Sequence, residues 1–295
     1  MFQIFGIPSQ ALFGQLLLGL INGSFYALLS LGLAVIFGML NVINFTHGAQ
    51  YMLGAFTAFF LLQYLGLGYW WAIVIAPIVV GIIGMVIERL FLQRLQNLDH
   101  LYGLLLTFGL ALIIEGVFRN FFGSSGLPYA VPPSLQGGTN LGFMFLPNYR
   151  AWVVVCSLAV CLATWFLIER TKLGAYLRAA TENPTLVRAF GINVPRLITV
   201  TYGVGVGLAA LAGVMAAPIY NVSPQMGANL IIVVFAVVVI GGMGSIMGAI
   251  VTGFGLGLIE GLTKVFFPQA ANTAIFVIMA IVLLIRPAGL FGRRA

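Results

Sequence analysis

The sequence predicts an all-α polytopic membrane protein, a bundle of eight or nine transmembrane helices. Of its 295 residues, 61% are hydrophobic and only 6% are charged, whereas soluble domains are about 25% charged. The apolar residues form unbroken runs of about 20, the length that crosses a bilayer as a helix. A transmembrane β-barrel would instead show alternating segments of about ten residues. The 37 glycines suit the close helix approach that stabilises membrane bundles.

Nine apolar stretches are the candidate spans, and we expect them to form one transmembrane domain over residues 1–295. They lie near 11–37, 48–65, 70–88, 101–121, 151–168, 197–217, 228–243, 248–267 and 271–286. The regions 38–50 and 228–267 are the least regular. The count is therefore nine, or eight if one of these regions is re-entrant.

Basic residues predict the orientation, because loops rich in lysine and arginine stay in the cytoplasm. Nine spans place the N-terminus outside, the C-terminus in the cytoplasm and ten of the 13 basic residues on the cytoplasmic side. Those ten are Arg89, Arg94, Arg170, Lys172, Arg178, Arg188, Arg196, Arg286, Arg293 and Arg294. The net charge of +7 therefore indicates orientation, and we expect no nucleic-acid partner.

The loop at about 169–197 is the most basic part of the chain, and it also favours helix. Ala179 and Ala180 have high helix propensity, Pro184 suits a first helical turn, and Gly191 can end a helix. A short helix on a cytoplasmic loop between spans indicates a contact that transmits force from a soluble partner. This pattern favours a transporter subunit over a self-contained channel.

The outer loop at about 123–149 is rich in glycine, proline and serine and is predicted to be an ordered cap or a docking loop. Arg119 and Arg150 flank it on the side that is otherwise poor in cations. Such charges favour docking of a partner that carries acidic groups. The alternative for Arg119 is a local ion pair with Glu115, four residues earlier on the same helix.

A polar break interrupts the apolar sequence at residues 41–48. It is either an ordinary cytoplasmic turn or an unwound point of a spanning helix beside a translocation path. Asn22, in the preceding span, either lines the same path or hydrogen-bonds another helix. The candidate path residues are Asn22, Asn44, Phe45, His47, Gly48 and Leu53. A lone histidine is more often structural than a ligand, so we assign His47 no metal.

Glycines are densest at residues 241–261. One interpretation is a smooth helix face for tight packing. The other is a broken helix whose backbone lines a substrate path, because irregular backbone at membrane depth is tolerated only beside a cavity. Both interpretations can hold in different parts of the segment.

No arrangement of residues indicates an enzyme. The chain has two histidines and six acids, with no serine or cysteine nucleophile placed beside them. A phosphate-binding GxxxxGK[ST] sequence is absent. We therefore expect no catalytic residue, no metal and no cofactor. If ATP drives transport, another subunit must hydrolyse it.

Two acids lie well inside predicted spans, and each has a cation four residues later. Glu115 precedes Arg119, and Glu260 precedes Lys264. This spacing permits an ion pair within one helix. A proton-coupled carrier would want an unpaired acid in the membrane, so the pairing counts against a secondary transporter.

The loop at 170–196 resembles the cytoplasmic loop of ABC-importer permeases, whose loose signature is Glu-Ala-Ala followed by glycine. The matching residues are Arg178-Ala-Ala-Thr-Glu182-Asn and Ala189-Phe-Gly191-Ile-Asn, so the first glutamate is absent. Three further segments look like the LivH type of branched-chain amino acid permease. They are Asn41-Val-Ile-Asn-Phe-Thr-His-Gly-Ala-Gln-Tyr-Met-Leu-Gly54, Val239-Ile-Gly-Gly-Met-Gly-Ser245 and Arg286-Pro-Ala-Gly-Leu-Phe291. The resemblance covers nearly the whole chain.

The resemblance implies a permease domain with ABC-importer architecture in the lipid of the bacterial inner membrane. Expected partners are a homologous second permease, two cytoplasmic ATP-binding subunits and a periplasmic substrate-binding protein. A helix at 182–191 would be the coupling helix seated in an ATPase cleft. The coupling residues would be Arg178, Ala179, Ala180, Glu182, Ala189 and Gly191.

The substrate class also rests on this resemblance, which implies branched-chain amino acids moved by alternating access. Close relatives carry urea, short amides or other small solutes, so these remain alternatives. A self-sufficient secondary carrier and a membrane-embedded enzyme are the competing functional classes.

Overall fold

The computed structural model describes residues 3–4, 7–40, 43–95 and 98–292. Each of the nine predicted apolar stretches coincides with a helix in this part of the chain. The helices are α1 Ser9–Leu40, α2 Thr46–Leu65, α3 Tyr69–Ile87, α4 Gln93–Leu95, α5 His100–Phe122, α6 Asn148–Arg170, α7 Lys172–Glu182, α8 Pro184–Ala189, α9 Val194–Tyr220, α10 Met226–Gly241, α11 Ile246–Phe266 and α12 Ala271–Ile285. A π-helical turn, Glu88–Leu92, joins α3 to α4.

Six helices of the described chain are long and apolar enough to cross a membrane. They are α1, α3 with its continuation to Leu95, α5, α6, α9 and α11. Helices α10 and α12 are apolar but shorter. The all-α multi-pass fold is therefore confirmed, while the count of eight or nine spans stays a prediction.

Strands contribute two small antiparallel pairs. Strands β1 (Gln3–Ile4) and β2 (Ile7–Pro8) pair ahead of α1. Strands β3 (Gly138–Asn140) and β4 (Phe145–Pro147) form a hairpin just before α6. A 3-10 turn, Pro133–Leu135, precedes this hairpin, and a second one, Pro268–Ala270, lies between α11 and α12. The predicted loop at 123–149 is thus an ordered cap.

The helix connections gather at two opposite ends of the bundle. We call the first the hairpin end, because the β3–β4 segment lies there beside the start of α1, where Gln10 Nε2 donates to Gly142 O at 3.5 Å. The end of α9 joins it, since Leu127 pairs with Val222. We call the other the α7–α8 end. Residues from the end of α1, α7, the α10–α11 turn and the C-terminal tail surround one cavity there.

Glycine allows helices α1 and α11 to pack backbone against backbone. A Cβ added at Gly257 would lie 2.4 Å from the carbonyl oxygen of Gly19. One added at Gly253 would lie 2.4 Å from the Cα of Ala27. Because such distances admit no side chain, the packing interpretation of the glycine-rich segment is confirmed for α11.

The same segment also contains a break in the helix. Between α10 and α11 the chain turns through Gly242 and Gly244, whose φ angles are +99° and +81°. L-residues other than glycine rarely adopt this region. Gly244 lies in the wall of the cavity at the α7–α8 end. The broken helix of the second interpretation is therefore present at this turn, while its role on a substrate path stays a prediction.

Helices α2 and α10 both begin inside the bundle and not at its surface. Thr46, the first residue of α2, donates through its hydroxyl to Thr107 O at 2.8 Å, about two turns inside α5. The start of α10 meets the start of α2, since a Cβ added at Gly227 would lie 1.9 Å from Gly48 O. Residues 41 and 42 of the polar break lie outside the described residues, and its described part, 43–48, is not a surface turn.

Candidate functional site

A cavity of about 380 Å³ lies in the half of the bundle nearer the hairpin end. We call it the hairpin-side cavity. Helix α1, the start of α2, the end of α9 and the first turn of α10 form it. Its wall includes Asn22, Phe25, Tyr26, Tyr51, Tyr220 and Met226. It therefore combines aromatic and aliphatic surface with hydroxyl and amide groups, as small-molecule sites do.

A polar network stands behind one wall of this cavity. Glu260 is 4% exposed, and its Oε2 accepts a hydrogen bond from the Tyr26 hydroxyl at 2.7 Å. Its Oε1 accepts from Asn22 Nδ2 at 3.4 Å and pairs with Lys264. The predicted ion pair is confirmed, and the structure adds Asn22 and Tyr26 to it.

A second cavity, of about 500 Å³, lies at the α7–α8 end. We call it the α7-side cavity. Its wall combines the end of α1, the α10–α11 turn, the C-terminal tail and α7, including Phe37, Leu177, Arg178, Met243, Ser245 and Phe291. The tail is held in place because Leu290 N donates to Ile240 O at 2.8 Å and Phe291 N to Gly241 O at 3.1 Å.

Two narrow gaps adjoin the cavities. The first shares Tyr51 and Leu230 with the hairpin-side cavity and leaves about 0 Å³ for a water molecule. The second shares Phe37 and Met243 with the α7-side cavity and leaves about 10 Å³. Helix α10 contributes Val234 to the first gap and Phe235 to the second, and the two gaps have no wall residue in common. The two cavities are therefore not joined by an open passage through these gaps.

The predicted path residues take different places among these cavities and gaps. Asn22 lines the hairpin-side cavity. His47 and Gly48 line the first closed gap. Phe45 is half-buried, and its ring is stacked 6.5 Å from that of Phe235, which lines the second gap. Leu53 is buried in the protein core.

Asn44 belongs to a buried polar cluster between α2 and α9. Its Nδ2 donates to the Tyr202 hydroxyl at 3.0 Å, and Gln50 Nε2 donates to the same oxygen at 3.3 Å. His47 is fully buried, and its Nε2 lies 3.0 Å from Leu29 O. These contacts hold the start of α2 in place. The structural interpretation of His47 therefore fits its surroundings.

The sequence did not single out Tyr51, Tyr220 or helix α10 as parts of this site. Tyrosines and apolar residues are ordinary in a membrane bundle, so their types gave no signal. Only the three-dimensional placement of the first turn of α10 beside α1 and α2 brings them together.

The predicted helix at 182–191 is in fact the end of one helix and the whole of another. Helix α7 ends at Glu182, and α8 runs from Pro184 to Ala189. Pro184 disfavours helical geometry in the residue before it, so Asn183 breaks the helix. The Asn183 side chain then caps α8 by accepting from Leu186 N at 3.0 Å.

The six predicted coupling residues divide between an inner and an outer surface of this loop. Ala180 is buried against Val187 and Val194. Arg178 donates to Ile168 O at 3.1 Å and pairs with Glu169 at 3.4 Å, which ties α7 to the end of α6. The remaining residues are exposed: Ala179, Glu182, Ala189 and Gly191. Gly191 has φ +81°, so the predicted glycine stop is confirmed.

Two large apolar side chains project from this polar loop. Phe190 is 76% exposed and Leu186 is 54% exposed. Apolar side chains adjacent to each other on a water-facing helix indicate a surface that a partner covers. Sequence reasoning missed them because both also fit a helix that buries its apolar face.

The two predicted docking cations lie near the hairpin end in different environments. Arg119 is exposed and pairs with Glu115, as the spacing predicts. Arg150 is half-buried in the first turn of α6, and no ion pair involves it within the described residues. Arg150 is therefore the freer of the two charges.

Glu88 is a buried acid that sequence reasoning missed. It is fully buried at the end of α3, and its Oε2 accepts from Thr199 at 2.7 Å and from Gln93 at 3.2 Å. No ion pair involves it in the described part of the chain. The argument that no unpaired acid is present in the bundle therefore does not hold.

Comparison with known proteins places the whole chain in one family. The family described as "Branched-chain amino acid transport system / permease component" matches residues 15–286. The high-affinity branched-chain amino acid transport system permease protein LivH of Escherichia coli is 29% identical, over 95% of each chain. The corresponding permease protein BraD of Pseudomonas aeruginosa is 31% identical, also over 95% of each chain.

A more distant relative is the permease protein LivM of the high-affinity branched-chain amino acid transport system in Escherichia coli. It is 26% identical over 90% of this chain and 67% of its own length. No solved structure matches the chain.

Proposed function

The chain belongs to the family of permease components of branched-chain amino acid transport systems, and from this premise we propose that it moves branched-chain amino acids across the bacterial inner membrane. The observation that supports this proposal is the family match over residues 15–286. The chain is the permease subunit of an ATP-driven ABC uptake system and not an enzyme. Such a system includes ATP-binding and substrate-binding partners.

Alternating access fits the two cavities and the narrow gaps along α10. The hairpin-side cavity receives substrate, the closed gaps around Gly48 and Gly227 form the barrier, and the α7-side cavity releases substrate. Asn22, Phe45, His47 and Gly48 border this route. Asn44 and Leu53 support the start of α2 beside it. Movement of α2 against α10 opens the barrier, because residues of both helices line the first closed gap.

The hairpin end faces the periplasm and the α7–α8 end faces the cytoplasm. The support is the distribution of charge, since Arg170, Lys172, Arg178, Arg188 and Arg196 all lie at or near the α7–α8 end. Cationic segments of this kind stay on the cytoplasmic side. The C-terminal tail lies at the same end and is therefore cytoplasmic.

Helices α7 and α8 receive the ATP-binding subunit. The exposed coupling residues, Ala179, Glu182, Ala189 and Gly191, form the docking surface together with the uncovered side chain of Phe190. Arg178 and Ala180 transmit the movement, because they hold α7 against α6 and against α8. ATP binding then shifts the wall of the α7-side cavity directly.

The hairpin end docks the substrate-binding protein. The support is the ordered segment between α5 and α6, with the cations Arg119 and Arg150 at its two edges. Arg150 contributes more than Arg119, because Glu115 already pairs with Arg119.

A homologous second permease completes the transmembrane part, alongside two ATP-binding subunits. The support is that two different permease proteins of the Escherichia coli system, LivH and LivM, both resemble this chain. We therefore favour a heterodimer of related permeases over a homodimer.

Uptake by a strain that lacks this gene tests the substrate. We expect uptake of labelled leucine to fall to background, while uptake of labelled urea stays unchanged. Restoring the gene should restore leucine uptake, and restoring it with Gly191→Val should give uptake several-fold lower. Loss of urea uptake with normal leucine uptake would instead assign the chain to small amides.

A further inference from the structure

Glu260 is a carboxylate placed where charge is costly, because it is buried in the last two turns of the apolar helix α11. It is 4% exposed, and three side chains surround it: Tyr26, Asn22 and Lys264. An ionisable side chain inside the membrane is expensive and therefore points to a function on the substrate route. Two of its partners, Asn22 and Tyr26, line the hairpin-side cavity.

The carboxylate sets the direction of every hydrogen bond in this network. An ionised carboxylate only accepts, so the Tyr26 hydroxyl and the Asn22 amide both donate to Glu260. The carbonyl oxygen of Asn22 is then left to accept, and the Tyr220 hydroxyl donates to it at 3.0 Å. Tyr26 and Tyr220 thus donate their only hydroxyl protons to Glu260 and Asn22. Each hydroxyl oxygen can still accept a hydrogen bond from a ligand.

A ligand at this wall must therefore supply donors to the tyrosine oxygens and tolerate the nearby Glu260–Lys264 ion pair. An ammonium group meets both conditions. Elsewhere the cavity offers Ser223 and Asn229, whose hydroxyl and amide can donate to a carboxylate, and the apolar surfaces of Phe25 and Leu230. A volume of about 380 Å³ falls within the range of small-ligand sites, roughly 300–1,000 Å³.

We propose that the hairpin-side cavity is a substrate-binding station that recognises the ammonium group of an aliphatic amino acid through Tyr26 and Tyr220, oriented by Glu260. The aliphatic side chain packs against Phe25 and Leu230. Glu260 is a positioning residue, because it acts through the tyrosines and Asn22. This inference rests on the proposed function for the choice of an amino acid, but the ammonium recognition follows from the network itself.

Ligand protection of the permease in complex with its ATP-binding subunits, without the substrate-binding protein, tests the site. The measurement is the fraction of permease that stays folded after heating. The probes are leucine, isopentylamine, which lacks the carboxylate, and isocaproate, which lacks the ammonium, each at millimolar concentration and equal ionic strength. We expect leucine and isopentylamine to protect the wild type and isocaproate not to protect it.

Glu260→Gln should raise the isopentylamine concentration needed for protection by roughly tenfold, because it removes a charge-assisted interaction. Tyr220→Phe is a second variant that leaves Glu260 and its ion pair intact, and it should weaken protection several-fold. Thr252→Val is the matched control on the same helix. Its hydroxyl is buried and has no hydrogen-bond partner among the described atoms, so protection should stay at the wild-type level.

The outcomes separate this inference from the proposed function. Protection by isocaproate equal to that by isopentylamine, no protection by either ammonium ligand, or equal protection of wild type and both variants would overturn the ammonium site. Protection with the expected pattern, together with no uptake of labelled leucine in cells, would uphold the site and reject branched-chain amino acids as the substrate.

Discussion

The missing Cβ atoms of a few glycines determine how closely α1 and α11 approach each other. Gly19, Gly23 and Gly257 meet through their backbones, and a Cβ on Gly257 would lie 2.4 Å from both Gly19 O and Gly23 Cα. Both partners are backbone, so neither can rotate away. Gly255, two residues earlier, faces open space within 4 Å. The same helix therefore offers a critical glycine and a dispensable one.

Gly257→Ala should destabilise the protein, whereas Gly255→Ala should not. Overpacking a tight contact costs about 1–3 kcal/mol, and alanine at an open helix position gains about 0.5–1 kcal/mol over glycine. Thermal unfolding of the purified protein in detergent measures both variants. Equal unfolding temperatures for the two would show that α1 and α11 separate more easily than their contact indicates.

Sequence reasoning could predict short-range pairs of residues but not the long-range network. The Glu115–Arg119 and Glu260–Lys264 pairs follow from spacing along a single helix, and both form. The bond from Tyr26 to Glu260 joins residues 234 positions apart. No pattern in either helix encodes it, because it depends on the register in which α11 packs on α1.

At the scale of elements, the α7–α8 unit is shaped by three residues whose backbone preferences are strong. Asn183 separates α7 from α8 and caps α8, Pro184 starts α8, and Gly191 ends the loop at φ +81°. The exposed Phe190 sits directly before that glycine. The position of the docking surface is therefore set by the conformation of Gly191.

Gly191→Val should uncouple ATP hydrolysis from uptake. A β-branched residue at positive φ is strained by roughly 1–2 kcal/mol, so Phe190 shifts away from the partner. We expect uptake to fall several-fold while the protein still reaches the membrane and the ATP-binding subunits still hydrolyse ATP. The assay is leucine uptake and ATPase activity in the same proteoliposomes.

Gly191→Asn is the control for this prediction, because asparagine tolerates the left-handed region better than other residues. It should keep most of the uptake. Normal uptake by Gly191→Val would show that this turn does not position the docking surface.

The helices themselves were accessible from sequence, because each apolar stretch is long and uninterrupted. The depth within the bundle at which α2 and α10 begin was not accessible from the sequence. The polar residues Asn44, Thr46 and His47 fit a surface turn equally well, and only the bond from Thr46 to Thr107 and the contact of Gly48 with Gly227 place this part of the break inside the bundle. Pro184, by contrast, does start a helix as the sequence predicts, but the end of α7 at Glu182, inside the predicted helix at 182–191, was not foreseen.

At the scale of the whole molecule, two cavities face opposite ends and a closed barrier separates them. Asn229 lines the first cavity, Met243 lines the second, and His47 lies in the barrier. Both native cysteines, Cys156 and Cys161, are free thiols. A background without them therefore permits accessibility measurements at single positions.

Asn229→Cys should react with small aqueous thiol reagents from the periplasmic side, and Met243→Cys from the cytoplasmic side. His47→Cys and Asn44→Cys should be protected while the barrier is closed. Trapping the ATP-binding subunits with a nucleotide analogue should change the labelling rates, because the open side switches. If positions 44 and 47 stay unreactive in every state, both belong to packed protein and not to the route.

Of the two cations at the hairpin end, Arg119 is paired with Glu115 and Arg150 has no ion pair within the described residues. This difference gives a prediction about the substrate-binding protein. Arg150→Glu should weaken stimulation of ATPase activity by that protein, and more strongly at low salt, where screening is least. Arg150→Lys keeps the charge and is the control. Identical stimulation of wild type and Arg150→Glu at every ionic strength would remove Arg150 from the docking surface.

The glycine contact between α1 and α11 has a practical consequence for spectroscopy. Two helices in backbone contact cannot slide past each other by changing side-chain rotamers. The distance between a probe on α1 and a probe on α11 should therefore stay fixed while other parts of the transporter move. Probes on α2 and α10, which both line the first closed gap, would report the transport cycle relative to that fixed distance. Distances measured in lipid could then be calibrated inside each molecule, without reference to a second protein state.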